Sequence, residues 1–238
     1  MLKTLVVIPA YNEALNIKKT VIDLKNNAPD VDYVVVNDGS KDNTLEVLEQ
    51  NNFNYIDSIC NLGLFGAVQT GFKLAMKEKY DVVIQFDGDG QHSAKYIDLL
   101  VKEIEKGNSI VIGSRFVDEK KPFTARMIGS RLIAGAIKLI TGKTIKDPTS
   151  GFRAYDKACI KDYATEMNNP PEPDTLVYML RKNRKIKEVQ VQMSEREFGE
   201  SYLDLVNTIK YMSRMMVSIF LIQPFRKVKY LWDWDYNI

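Results

Sequence analysis

The chain has 238 residues, of which 45% are hydrophobic, and its 33 Lys and Arg nearly balance its 31 Asp and Glu. The resulting net charge of +2 argues against a nucleic-acid-binding protein with a dominant basic face. Two distant cysteines, Cys60 and Cys159, and one histidine, His92, leave little scope for a zinc site or for histidine-based catalysis, and they fit a reducing, cytoplasmic location.

Short β-branched runs alternate with helical stretches in the first half of the chain. The pattern predicts strands at residues 4–8, 33–37, 54–59, 82–87 and 110–113, and helices at residues 13–26, 42–50, 66–77 and 93–106. This alternation indicates an α/β fold with a mostly parallel sheet and helices on both faces. The first apolar run stops at Pro9 without a cleavage pattern, so we expect a strand there and not an export signal.

Beyond residue 115 the alternation loosens. A charged loop at residues 118–122 precedes a predicted helix from about residue 124 to residue 141, and a polar stretch at residues 147–153 follows. A helix at residues 175–182 and a strand at residues 186–193 come next, and residues from 201 onward predict an amphipathic helix. The simplest partition is therefore one domain at residues 1–200 with an appended segment at residues 201–238.

Polar clusters follow most of the predicted strands. They lie at residues 9–13, 37–40, 61–63, 87–89 and 113–115. Carboxyl ends of parallel strands meet at one edge of a sheet, where ligands bind. We therefore expect the chemistry of this protein at that edge.

The cluster at residues 87–91 is the most informative of these. It places two carboxylates, Asp87 and Asp89, and the amide of Gln91 directly after a buried strand, and Gly88 allows a ligand to approach the backbone. Mg²⁺ and Mn²⁺ prefer one or two carboxylates, with substrate phosphates as further ligands. The cluster thus indicates a divalent metal that carries a nucleotide diphosphate, although an isolated motif of this kind also fits a solvated acidic turn.

Two further clusters have more than one interpretation. Asp38 begins an Asp-Gly-Ser turn that fits a cap of the following helix. Beside Tyr11 and Glu13, which can stack on a base and hydrogen-bond a ribose, it favours a nucleotide site instead. The glycines at residues 61–66 lack the lysine of a P-loop and the full dinucleotide fingerprint, which argues against kinases and dehydrogenases.

Five motifs, at residues 9–13, 37–40, 87–91, 113–116 and 147–153, occur together and in order, and they resemble the nucleotide-sugar glycosyltransferases of family 2, which have the GT-A fold. Residues 87–92, 113–116, 147–152 and 196–201 are most similar to the dolichol-phosphate mannose synthases and their bacterial polyprenyl-phosphate relatives. The resemblance implies an inverting hexosyl transfer in cell-surface glycan synthesis. It also implies that the cofactor is Mg²⁺ or Mn²⁺, that the donor is a UDP- or GDP-linked sugar, and that the acceptor is a membrane polyprenyl phosphate.

The resemblance assigns roles to individual residues. Those expected to hold the nucleotide are Pro9, Tyr11, Glu13, Asp38 and Asp87. Those expected to hold the metal are Asp87, Asp89 and Gln91. Those expected to meet the acceptor phosphate are Arg115, Arg126 and Ser130. The expected catalytic residues are Asp89, Asp147 and Arg196, the last over the donor diphosphate.

The acceptor remains open at this stage. A polyprenyl phosphate is already anionic near neutral pH, because its second pKa lies near ~6, so it needs no strong base. A sugar hydroxyl of a growing lipid-linked saccharide would need a carboxylate to take its proton, and Asp147 is then the best-placed candidate, with turn capping as its alternative role.

Two functions from other classes are also considered. A nucleotidyltransferase would have a glycine-rich and basic N-terminal phosphate loop, whereas residues 9–13 are acidic and aromatic. An inactive nucleotide-sugar-binding scaffold would have lost the metal residues, which are intact here. The sequence favours neither.

The C-terminal segment is expected to contact a surface. Apolar positions fall at helical spacing over residues 203–222, with too many charges for a membrane span. After Pro224, basic residues alternate with Tyr and Trp, a mixture typical of the membrane headgroup zone. We expect a peripheral location at the cytoplasmic face of a membrane, with a small integral membrane protein or a second copy of the chain as candidate partners. Packing on the domain core is the alternative.

Overall fold

Seven strands form one mixed sheet in the order β3-β2-β1-β4-β6-β5-β7. The computed structural model describes residues 2–165, 172–194 and 205–227. The strands are β1 (Thr4–Ala10), β2 (Asp32–Asn37), β3 (Tyr55–Asp57), β4 (Val82–Gln85), β5 (Ile110–Ser114), β6 (Arg153–Asp156) and β7 (Ile186–Gln190). All neighbouring strands are parallel except that β6 runs antiparallel to both β4 and β5. The predicted mostly parallel sheet is confirmed.

Helices cover both faces of this sheet. They are α1 (Ile17–Asn27), α2 (Thr44–Gln50), α3 (Gly63–Lys77), α4 (Ile97–Glu105), α5 (Ala125–Thr141), α6 (Lys157–Thr165), α7 (Pro173–Arg181) and α8 (Leu205–Val217). Along β1, Leu5 and Val7 join one buried apolar cluster and Val6 and Ile8 join another. Because successive side chains of a strand point to opposite faces, a strand buried on both sides is an unbroken apolar run.

Elements β6 and α6 were not predicted from the sequence. The strand has four residues and begins with Arg153, so it lacks the alternation that marks a strand. Arg153 is 1% exposed, and its guanidinium donates hydrogen bonds to the backbone carbonyls of Pro148 and Ser150. A charged residue is thus buried at the start of β6, where it supports the loop that precedes it.

Several predicted helix starts differ from the structure, and the first helix, α1, begins at Ile17 and not at residue 13. Residues 13–16 form a turn before α1, in which the Glu13 carboxylate accepts a hydrogen bond of 2.7 Å from the Asn16 amide. The backbone N–H of Glu13 donates to Thr44 Oγ1 at 2.9 Å, which ties this turn to the start of α2. Helix α5 agrees with its prediction, since the Thr124 hydroxyl caps its first turn and Gly142, at φ 70°, ends it.

The described part of the C-terminal segment packs on the domain. Helix α8 continues into a π-helical turn at Ser218–Ile222. The side chains of Met215 and Ile219 are 1% and 0% exposed, within the apolar cluster that also contains residues of α3 and α5. In the described residues no helix has both the length and the apolar character that a membrane crossing requires. The basic and aromatic residues after 227, and the surface contact predicted for them, lie outside the described residues.

Candidate active site

A cleft of about 650 Å³ opens at the carboxyl ends of β1, β2 and β4. Predicted site residues that line it are Pro9, Tyr11, Glu13, Asp38, Asp87 and Asp89. Cavities of about 710 Å³ and 940 Å³ occur elsewhere, but neither is lined by any predicted site residue. We therefore choose the cleft at the carboxyl ends of the strands as the candidate site because of the residues that line it, although it is not the cavity with the greatest volume.

Short hydrogen bonds between loops shape one wall of the cleft. The backbone N–H of Asn12 donates to Ser40 Oγ at 3.0 Å, and Asn12 Oδ1 accepts from the N–H of Lys41 at 2.8 Å. The buried carboxylate of Asp38 accepts from the N–H of Leu62 at 2.7 Å, which holds the start of α3 against the end of β2. These bonds bring together three loops that are separate in sequence.

Gly39 is required where these loops meet. It adopts φ +64°, and a Cβ atom there would lie 2.8 Å from backbone atoms of Cys60 and Asn61. Only glycine combines that conformation with such a close approach. The turn that begins with Asp38 is thus specified by the packing of the loop that faces it.

Asp87 and Asp89 form the floor of the cleft, and His92 contacts Asp87. Its Nδ1 accepts a hydrogen bond of 3.0 Å from the backbone N–H of Asp87, so the neutral ring carries its proton on Nε2, which lies 3.6 Å from Asp87 Oδ2. The ring stacks on Phe152 at 5.0 Å between centroids. No structural role for His92 could be predicted from the sequence, although His92 closes the motif at residues 87–92.

Asp87 also packs closely against a glycine from a distant loop. A Cβ atom at Gly151 would lie 2.6 Å from Asp87 Oδ2. Gly88 is tight as well, with its hypothetical Cβ 3.0 Å from the carbonyl oxygen of Pro9. The position of the Asp87 carboxylate therefore depends on the loop at residues 147–153, a relation that the sequence did not reveal.

The carboxylates at the cleft floor fit a hard divalent metal ion that prefers oxygen ligands. No group of three or more His, Cys, Asp and Glu side chains among the described residues forms a complete metal site. Asp87 and Asp89 instead line one cleft, and the side chain of Asp87 is 33% exposed to it. Such a donor set suits Mg²⁺ or Mn²⁺, which complete their coordination with substrate phosphates and water.

Gln91 lies next to this floor but faces another segment. Its backbone N–H donates to Asp89 Oδ1 at 3.1 Å, and its backbone carbonyl accepts from the N–H of Ser194 at 2.9 Å. Gln91 does not line the cleft. Its predicted part in metal binding remains a prediction.

Asp147 is buried in an ion pair with Arg115, within the loop whose Gly151 packs against Asp87. Arg115, directly after β5, donates from Nε at 2.9 Å and from Nη2 at 3.0 Å to its two carboxylate oxygens. The backbone N–H of Arg115 and the hydroxyl of Thr149 donate to the same carboxylate at 3.3 Å each. Asp147 is 0% exposed and does not line the cleft, so this geometry disfavours its predicted role as a base.

The remaining predicted site residues belong to α5 or lie outside the described residues. Ser130 is buried, and its hydroxyl accepts a hydrogen bond of 2.8 Å from Lys121 Nζ and lies 3.2 Å from Thr149 Oγ1. Arg126 belongs to the first turn of α5, but its side chain is outside the described part of the chain. Arg196 falls outside it entirely.

The comparisons with known proteins agree with this geometry. The family described as glycosyl transferase family 2 matches residues 5–164. The undecaprenyl-phosphate mannosyltransferase of Micrococcus luteus is 29% identical over 84% of this chain and 87% of its own length. The dolichol-phosphate mannosyltransferase of Pyrococcus furiosus is 34% identical over 89% of this chain, which spans 62% of that protein.

A solved structure shares the fold. The glucosyl-3-phosphoglycerate synthase of Mycobacterium tuberculosis, in complex with Mn²⁺, uridine diphosphate and phosphoglyceric acid, superposes with a TM-score of 0.70 and 15% identity. The match covers 95% of this chain and 80% of that one. Because the family match includes β1 to β6 and every described residue of the cleft, the chain belongs to glycosyl transferase family 2 and is a glycosyltransferase with the GT-A fold.

Proposed function

We propose that this glycosyltransferase transfers a sugar, with inversion, from a nucleotide sugar to a polyprenyl phosphate. The observation that carries the proposal is the neutralised carboxylate of Asp147, which is buried against Arg115 and does not line the cleft. An acceptor hydroxyl would need a base there, whereas a phosphate monoester is anionic near neutral pH without one. The two relatives described above are named for lipid phosphates, which supports the same acceptor class.

The donor would bind in the cleft with its diphosphate over the floor. Tyr11 offers a ring for the base, and Glu13 and Asp38 offer carboxylates for hydrogen bonds to the nucleoside. Mg²⁺ or Mn²⁺, when held by Asp87 and Asp89, supplies positive charge to the departing nucleoside diphosphate. His92 and Gly151 keep the Asp87 carboxylate in place on that floor.

The reaction needs no proton transfer at its bond-forming step. An acceptor phosphate oxygen attacks the anomeric carbon in line, and the bond from that carbon to the diphosphate oxygen breaks. The new phosphodiester keeps one negative charge, and the nucleoside diphosphate leaves as an anion. Arg115 and Ser130, and Arg126 by prediction, are the residues of the chain proposed for the acceptor side.

The proposed lipid acceptor requires the protein to work at a membrane surface, at the cytoplasmic face where nucleotide sugars are expected. The described end of the chain offers apolar side chains for this, since Leu221 is 64% and Phe225 79% exposed. The basic and aromatic residues that follow support the same location. A small membrane protein and a second copy of the chain remain predicted partners.

Transfer of label into a lipid tests the proposal. Purified protein is incubated with Mg²⁺ or Mn²⁺ and radiolabelled UDP- or GDP-sugars, in detergent with either a polyprenyl phosphate or the matching polyprenol. We expect label in the organic phase with the phosphate only. Label in the polyprenol or in an added oligosaccharide would favour a hydroxyl acceptor, and donor binding without release of nucleoside diphosphate would favour an inactive scaffold.

A further inference from the structure

Lys121 presents a partly buried positive charge close to the predicted acceptor residues. It lies in the loop between β5 and α5, and its Nζ donates to Ser130 Oγ at 2.8 Å. Among the described residues no carboxylate lies within ion-pair distance of this ammonium. An ammonium has three N–H donors, so one bond to Ser130 leaves donors for a further ligand.

The charged groups around Lys121 do not neutralise it. Asp147 and Glu188 face it, but Asp147 is paired with Arg115, and both Glu188 carboxylate oxygens accept backbone N–H groups of residues 146 and 147. Arg115 and Arg131 add positive charge. Burial is the largest effect and lowers the pKa of Lys121, as expected for a desolvated cation without a matched anion.

The loop that carries Lys121 is held against α5. The Arg131 guanidinium donates to the backbone carbonyls of Lys121 at 2.5 Å and of Pro122 at 3.2 Å. The ammonium of Lys121 also lies 5.3 Å from the ring centroid of Phe116. These contacts orient the charge before any ligand binds, which reduces the entropy lost on binding.

A directed chain of hydrogen bonds connects this charge to the loop beside the cleft. Lys121 donates to Ser130, and the Thr149 hydroxyl donates to Asp147, so the Ser130 hydroxyl is left to donate to Thr149. Two residues after Thr149, Gly151 packs against Asp87 on the cleft floor. Lys121 is thus anchored to the same loop that positions the proposed diphosphate site.

We infer that Lys121 binds the phosphate monoester of the acceptor directly and that Ser130 is a positioning residue, which holds the ammonium and does not itself contact the acceptor. The inference rests on the proposed function, since it assigns a residue to the acceptor side of that reaction. It changes the predicted role of Ser130, whose hydroxyl is buried and already bonded.

The first test compares lysines in one loop. Lys121→Met removes the charge and keeps the length of the side chain, and Lys120→Met makes the same change at an exposed neighbour. We expect Lys121→Met to raise KM for a polyprenyl phosphate roughly 10- to 100-fold, as for loss of a charged hydrogen bond, with kcat and donor KM nearly unchanged. Lys121→Arg should restore most of the affinity. Equal acceptor KM values for the two Met variants would overturn the inference.

A pH profile separates direct binding from a structural role. Deprotonation of Lys121 removes the charge, so the wild-type acceptor KM should rise with pH and, because the pKa is lowered, should do so below the range of an ordinary lysine. That rise should vanish in Lys121→Met and move to higher pH in Lys121→Arg. Ser130→Ala should raise acceptor KM in the wild type and have no further effect in Lys121→Met. A Lys121→Met profile with the wild-type rise would contradict the inference.

Equilibrium binding separates this inference from the proposed function. Calorimetry without donor measures a short prenyl phosphate and, separately, uridine and guanosine diphosphates on wild type and Lys121→Met. Weaker binding of the prenyl phosphate alone supports the inference, even if wild type transfers no sugar and the proposed function fails. Weaker binding of a nucleoside diphosphate to Lys121→Met, with unchanged binding of the prenyl phosphate, overturns the inference about Lys121. The proposed function would still stand in that case if the wild type transfers sugar to the lipid phosphate. No binding of the prenyl phosphate to wild type overturns both.

Discussion

Asp89 and Asp87 line the same cleft, and a hard cation there requires their negative charge. Asp89→Asn keeps the size of the side chain and removes that charge. We expect turnover to fall by roughly 10²- to 10³-fold, as for loss of a group that stabilises developing charge. Release of nucleoside diphosphate over a Mn²⁺ titration measures this. Asp98→Asn, at a side chain 74% exposed on α4, is the control, and a wild-type rate in Asp89→Asn would refute the metal site.

Gly151→Ala tests whether the loop at residues 147–153 positions Asp87. The added methyl would lie 2.6 Å from Asp87 Oδ2, so the carboxylate must move. Displacement of a reacting group by about 1 Å costs up to ~10²-fold in rate, and we expect a loss of roughly 10- to 100-fold in kcat. Steady-state kinetics would detect it. Gly135→Ala, with open space around its Cβ in α5, should keep full activity and gain up to ~1 kcal/mol in stability.

At the scale of elements, the Arg115–Asp147 pair joins the end of β5 to the loop before β6. Removing one member of a buried pair leaves the other uncompensated, which costs about 3–5 kcal/mol, and the 26% exposure of Arg115 favours the lower value. We expect Asp147→Asn to lower the free energy of unfolding by about 3 kcal/mol in urea denaturation. Asp118→Asn, at an exposed residue, should change it little. An unchanged midpoint for Asp147→Asn would show that the pair does not stabilise the fold.

The docking of α8 depends on apolar side chains that fill the domain core. Ile219 is fully buried in the π-helical turn, whereas Leu221, two residues on, is 64% exposed. Ile219→Ala should cost about 2–5 kcal/mol and Leu221→Ala less than ~0.5 kcal/mol. Thermal or urea unfolding measures both. If the two variants were equally stable, the C-terminal helix would not be part of the cooperative fold.

At the scale of the whole molecule, the two cysteines report on separate regions. Cys60 is exposed beside the cleft, while Cys159 is buried in α6, where burial raises the pKa of its thiol well above the usual value. A raised pKa leaves less thiolate at neutral pH, and a buried thiol is out of reach of a reagent. We therefore expect a thiol reagent to label Cys60 quickly and Cys159 only on unfolding. Mass spectrometry of time points checks this. Two equally fast thiols would mean that the core around α6 opens readily.

The sequence predicted the parallel part of the molecule better than the antiparallel part. Strands β1, β2 and β4 are apolar runs that end in polar motifs, and both signals are local. Strand β6 pairs with β4 and β5, which are distant from it in sequence. The pattern of its own four residues therefore could not predict these pairings. The acidic residues that line the cleft could therefore be predicted from the sequence, whereas the contact of the loop before β6 with Asp87 could not.

The sequence by itself determined the fold class and the acidic residues that line the cleft, because side-chain alternation and the position of motifs after strands are properties of neighbouring residues. Tertiary structure alone decided which of these side chains are buried and which groups they contact. Asp147 became a buried partner of Arg115, 32 residues away, and His92 and Gly151 came to support Asp87. Lys121 gained its place beside Ser130 in the same way. The physical reason is that burial and charge pairing depend on which distant segments pack together.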